Sequence, residues 1–75
     1  MKRAQRLTAI IEREDEGFVA LCPELDIASE GVSIEDARVN LIEALTLFFE
    51  TAAPSEVARR FHSEVFVTQV EVPVG

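Results

Sequence analysis

Tryptophan and tyrosine are missing from this chain, and cysteine and histidine occur once each, as Cys22 and His62. A lone cysteine excludes an intrachain disulfide. One cysteine with one histidine falls short of the four nitrogen or sulfur ligands of a structural zinc site. At 75 residues the chain holds a single domain, 1–75. A domain of that size buries only about 60% of the surface its unfolded chain exposes, so its core is marginal. With no covalent or metal staple, the remaining route to extra stability is oligomerisation.

Positive charge is also scarce. Seven Lys and Arg stand against fourteen Asp and Glu, for a net charge of −7. Phosphate backbones call for clustered cations, and the two basic groups here, Lys2-Arg3-Arg6 and Arg59-Arg60, are small. A nucleic-acid partner is therefore not expected. An acidic chain suits a basic protein, whose encounter it would accelerate; the same charge also serves plain solubility. No apolar run nears the roughly 18 residues of a membrane span, and no apolar stretch follows Lys2-Arg3 as a signal peptide requires. A cytoplasmic location is the expectation, and a free thiol is compatible with it.

What is present reads as three short strands, one long helix and a last strand. From Gln5 to Arg13, Leu7, Ala9 and Ile11 alternate with Thr8, Ile10 and Glu12, a strand pattern apolar on both faces. Glu14-Asp15-Glu16-Gly17 is a hairpin turn. Phe18–Cys22 is the second strand, stopped by Pro23, which cannot donate to a ladder. Glu24-Leu25-Asp26 connects it to a third strand, Ile27–Gly31. Gly31-Val32-Ser33 then opens a helix, with Ser33 as N-cap and Asp36 in the acidic position of a capping box.

That helix is predicted over Ile34–Ala52. Its inward stripe is Ile34, Ala37, Leu41, Ala44, Leu45, Phe48 and Ala52, with Glu35, Glu43 and Glu50 opposite. Val39, Ile42 and Phe49 widen the apolar arc beyond what one small sheet would cover. Either a second subunit or partner packs there, or the loop after the helix folds back over it. Pro54-Ser55 breaks the helix, and Ser55 is placed to cap a short turn through Val57 and Phe61. Glu64–Val74 is the most strand-like stretch, with Val65, Val67 and Gln69 opposite Phe66, Thr68, Val70 and Val72. An exposed edge of this composition aggregates, so it is predicted central in the sheet or paired across a dimer axis. The expected fold class is α+β in the order β-β-β-α-β, one long helix on a small, mainly antiparallel sheet.

Two stretches carry a family resemblance. Residues 14–25, Glu-Asp-Glu-Gly-Phe-Val-Ala-Leu-Cys-Pro-Glu-Leu, resemble the acidic turn, Gly, aromatic, Val, Ala and Pro-Glu-Leu signature of the HicB antitoxin family. Residues 29–37, Ser-Glu-Gly-Val-Ser-Ile-Glu-Asp-Ala, are similar to that family's helix start, and Asn40-Leu41-Ile42-Glu43-Ala44-Leu45 continues it. The resemblance implies a partial ribonuclease-H-like sheet with one helix. It also implies the role of an antitoxin that covers the active site of HicA, a small basic toxin with a double-stranded-RNA-binding fold that cuts mRNA using a histidine. Two departures stand out. Where the family often reads Pro-Gly-Cys after Pro-Glu-Leu, this chain has Asp26, Ile27 and Ala28. Larger members carry a C-terminal DNA-binding segment, and none is expected here.

Catalysis is not expected. Ribonuclease-H chemistry gathers several carboxylates on Mg²⁺, and Glu12 is the only acid inside the first predicted strand. His62-Ser63-Glu64 are sequence neighbours, which rarely converge as nucleophile, base and orienter. Cys22 has no nearby cation or helix N-terminus to activate it and reads as a small core residue. No metal, cofactor or catalytic residue is assigned. Partner binding is assigned to the loop acids Glu14, Asp15, Glu16, Glu24 and Asp26, because loops present charge without disturbing a core. Self-association, as a dimer or tetramer, is assigned to Val39, Ile42 and Phe49 with Val65, Val67, Val70 and Val72.

Overall fold

The computed structural model describes residues 4–75; the Lys2-Arg3 part of the first basic group lies outside them. The described chain is α+β, in the order β1 (Ile10–Glu14), β2 (Gly17–Cys22), β3 (Ile27–Gly31), α1 (Ile34–Thr51) and α2 (Pro54–Arg60). The strands form one antiparallel sheet in the order β1-β2-β3.

Both turns of this meander rely on an aspartate. The β1–β2 hairpin closes on the pair Glu14↔Gly17, with Asp15 at φ 54°. In the second turn Leu25 and Asp26 both donate their N–H to the Cys22 carbonyl, at 3.3 and 2.8 Å, and Asp26 sits at φ 56°. Aspartate tolerates this left-handed region better than most residues. Asp26 therefore makes the bend, and Ile27, where the resembled family often has glycine, is already extended in β3.

The period-two pattern decides which side chains meet α1. Across the inner face run Ile11↔Ala20↔Ser29, Arg13↔Phe18↔Gly31 and Cys22↔Ile27. Ala37, Leu41 and Leu45 of α1 complete the core with Ala20, Cys22 and Leu25. Its largest fully buried side chains are Leu25, Leu41 and Cys22. A core this small gives each member weight: losing a buried leucine side chain typically costs about 2–5 kcal/mol, while small domains hold about 0.05–0.15 kcal/mol per residue in all.

The helix start is held closely. Ser33 Oγ accepts the Asp36 N–H at 3.0 Å, the expected cap. The short Asp36 side chain reaches back to the Val32 N–H at 2.9 Å, one residue before the N-cap that a full capping box would engage. Gly31 lies against this turn, where a Cβ would come within 2.3 Å of the Ala37 nitrogen. Only glycine permits that approach.

Several expectations are corrected. β1 begins at Ile10, because β2 ends at Cys22 and offers residues 5–8 no ladder partner. Ile34 is more than half exposed, ahead of the turn of α1 that meets the sheet. α2 starts with Pro54 at its first turn and Ala53 in the cap position, with no side-chain cap bond, so Ser55 is inside the helix. The predicted last strand does not form within the chain: residues 61–75 contain no helix or strand, because no neighbouring strand pairs with them.

Candidate partner-binding surface

The five loop acids do not form one patch. Glu14, Asp15 and Glu16 are exposed at the hairpin end of the sheet. Glu24 and Asp26 belong to the opposite end, the six residues of β2 away, a span of about 17–20 Å. Sheet register adds two acids to the hairpin end that loop position alone does not reveal. Glu12, Val19 and Glu30 are cross-strand neighbours on the outer face. Glu30 lines a shallow hollow of about 270 Å³ together with Glu14, Asp15, Glu16 and the start of β2. The signal for Glu30 was parity, since its even position in β3 opposes the inward Ser29 and Gly31.

Glu24 is corrected outright as a presented charge. It is buried, turned in beside Leu25. Its Oε2 accepts the Thr8 hydroxyl at 2.6 Å, both carboxylate oxygens accept the Thr8 N–H at 3.1 Å, and the Cys22 thiol donates to Oε1 at 3.4 Å. Burial pushes the Glu24 carboxyl up. The bonds from Thr8, its own backbone amide and the Cys22 thiol together outweigh that and hold it below the usual carboxylate range. Burial raises the Cys22 thiol; the Leu25 amide opposes this, the Glu24 carboxylate reinforces it, and the net shift is upward. Asp26, by contrast, is exposed.

The chain from α2 onward closes on this end. Arg60 donates from Nη2 to the Leu25 carbonyl at 2.9 Å, and its guanidinium lies 5.2 Å from the Phe48 ring centre. The His62 N–H donates to the Glu24 carbonyl at 2.7 Å. Arg59 pairs with Glu56. At the hairpin end Arg13 lies 4.6 Å from the Phe18 ring centre, toward the inner face.

The apolar flank of α1 is uncovered. Val39, Ile42 and Phe49 are 38%, 47% and 38% exposed. The chain after α1 does not fold over them. It turns the other way, bringing Arg60 onto Phe48 and Phe61 against the core. Ile42 and Phe49 instead form one wall of an open groove of about 720 Å³, whose other wall is Leu7, Thr8 and Ala9. Of the remaining self-association residues, Val65 is half-buried and Val67, Val70 and Val72 are exposed.

Among the described residues no three His, Cys, Asp or Glu side chains are grouped to hold a metal ion. No helix among them is long and apolar enough to cross a membrane. No family model, curated protein or solved structure matches this chain.

Proposed function

We propose that this chain is a HicB-like antitoxin domain with a partial ribonuclease-H-like fold, which neutralises a basic, mRNA-cleaving HicA-like toxin by binding it directly. The observation that carries this reading is the acidic hairpin end. Five carboxylates, Glu12, Glu14, Asp15, Glu16 and Glu30, are exposed there, and Arg13 is drawn toward Phe18. A surface of one sign attracts a partner of the other and sets its orientation on approach. Of the residues that carry the resemblance, the start of 14–25 and the stretch 29–37 build this end and its join to α1, while Pro23, Glu24 and Leu25 lie at the other end of β2. The action is stoichiometric blocking inside the cell and needs no cofactor or catalytic group of the chain's own.

The test is co-expression with the product of the neighbouring reading frame, followed by co-purification and an RNA-cleavage assay. The expected result is a complex in which cleavage is silenced. A neighbouring protein that cleaves RNA undiminished in its presence refutes the proposal. A second reading is favoured by the uncovered flank of Val39, Ile42 and Phe49: a homo-oligomeric domain that binds a small ligand or another protein, without a toxin. A neighbouring frame encoding a small basic protein with a single central histidine distinguishes the first from the second.

A further inference from the structure

The segment after α2 is sticky and unpaired. Phe66, Val70 and Val74 are 87%, 79% and 91% exposed. β-branched residues fill much of the stretch, and its backbone joins no ladder. The consequence appears in the dimensions. A folded 8.3 kDa chain is expected to expose about 4,600 Å², whereas this one exposes 6286 Å². Its radius of gyration is 14.5 Å, against about 11 Å for a compact chain of this length. The excess surface is about 1,700 Å² per chain by the same scaling.

A matching vacancy lies on the same molecule. β1 is an outer strand of the sheet. The other outer strand, β3, is partly closed by α1, since Asn40 Nδ2 donates to the Glu30 carbonyl at 2.7 Å and Gly31 touches the first helical turn. Among the described residues the β1 edge has no such cover, and beside it opens the groove walled by Leu7, Ala9, Ile42 and Phe49. Residues 5–8 alternate like a strand yet run past the end of β2, so only a strand from outside the sheet can pair with them.

We propose that residues 64–74 of one copy add to residues 6–13 of a second copy as a further strand, and that the exchange is reciprocal about a two-fold axis. Alternate side chains of the added strand would fill the groove over Ile42 and Phe49. Charge spacing fits in either strand direction: Arg6 and Arg13 lie seven residues apart, as do Glu64 and Glu71. Burying the excess from both chains would remove about 3,400 Å², within the range of obligate homodimers. The pairing would also cover the edge that otherwise invites aggregation. It does not rest on the toxin reading, because the occupant is a second copy of this chain, and the strand it pairs with runs up to Glu12 and Glu14 of the acidic hairpin.

The test uses the full chain in sedimentation, hydrogen exchange and two substitutions. The expected mass is about twice 8.3 kDa. Amides of residues 5–8 and 65–72 are expected to be protected in the dimer and to lose protection on dilution. Successive strand amides point to opposite sides, so one of Val67→Pro and Thr68→Pro must remove a ladder donor. At least one is expected to weaken dimerisation by about tenfold or more, with the helical circular dichroism retained in both. In an unpaired arm neither proline would matter. A monomeric wild type overturns the proposal, including one with protected arm amides, which would mean pairing within the chain. So does a dimer that survives both prolines, or one whose residues 5–8 exchange as freely as in the dilute monomer.

Discussion

The Thr8 hydroxyl donates to Glu24 Oε2 at 2.6 Å across sixteen positions of sequence, and the Thr8 amide donates to the same carboxylate. This ties the start of the β1 region to the β2–β3 turn through a buried charge. Because the carboxyl is held below its ordinary value, its contribution is present above the unfolded-state pKa, about 4.3, and is lost as pH falls through the folded-state value. Chemical unfolding followed from pH 7 to pH 3 should show stability falling in that acid window. Glu24→Gln should cost about 1.5–3 kcal/mol at pH 7, the usual worth of hydrogen bonds to a charged group, and should flatten the acid limb. An unchanged limb in the variant would assign the acid sensitivity to other groups.

The neighbouring Cys22 thiol, raised by burial, has the opposite sign. Its protonated form is favoured in the folded state, so stability should be constant below the unfolded thiol value, about 8.5, and should decline as pH rises above it. Native protein should react with a thiol reagent only as fast as it opens, and Cys22→Ala should remove the thiol's part of the alkaline decline. Rapid labelling under native conditions would contradict its burial.

Gly31→Ala tests how closely α1 sits on the sheet. The new Cβ would meet backbone atoms of Asp36 and Ala37 rather than a side chain that could swing away. A loss of about 3 kcal/mol or more in urea unfolding is expected, the upper range for forced overpacking. A loss below about 0.5 kcal/mol, typical of a free surface site, would mean that the helix start is not locked against β3.

Reversing Glu14, Asp15 and Glu16 to Lys should leave thermal stability within about 0.5 kcal/mol, as expected for exposed positions. If the proposed basic toxin is the partner, its association should slow and the dependence on ionic strength should flatten. Stopped-flow mixing over a salt series measures both. Equal rates for variant and wild type would remove the hairpin from the interface.

The elements with local signals were legible in the sequence. Ile27–Gly31 occupies its predicted span, and the Ser33 cap and the Asp15 hairpin stand where composition put them. Period-two alternation assigned Ala20 and Cys22 to the same face, and the 3.6 period found Ala37, Leu41 and Leu45. The misses came where the outcome depends on a neighbour. Loop polarity said that Glu24 is charged but not that burying Leu25 would carry it inward to Thr8. Alternation said that residues 5–9 and 64–74 suit a strand, but a strand also needs a ladder, and the single chain supplies none. The acidic surface was half legible: Glu14, Asp15 and Glu16 were visible as a turn, whereas Glu30 joined them only through the pairing of β2 with β3.

The bond from Arg60 to the Leu25 carbonyl, with that from His62 to Glu24, joins positions about thirty-five residues apart in sequence. The partners of both bonds stand within reach only once the meander and α1 have docked, and closing the loop earlier would carry a chain-entropy cost with no packing to offset it. The latch is therefore expected to close late in folding, after the meander and α1 have docked. Loosening it, as in Arg60→Ala, should hasten unfolding while leaving the refolding rate nearly untouched, so the latch governs how long the domain stays shut rather than how fast it forms.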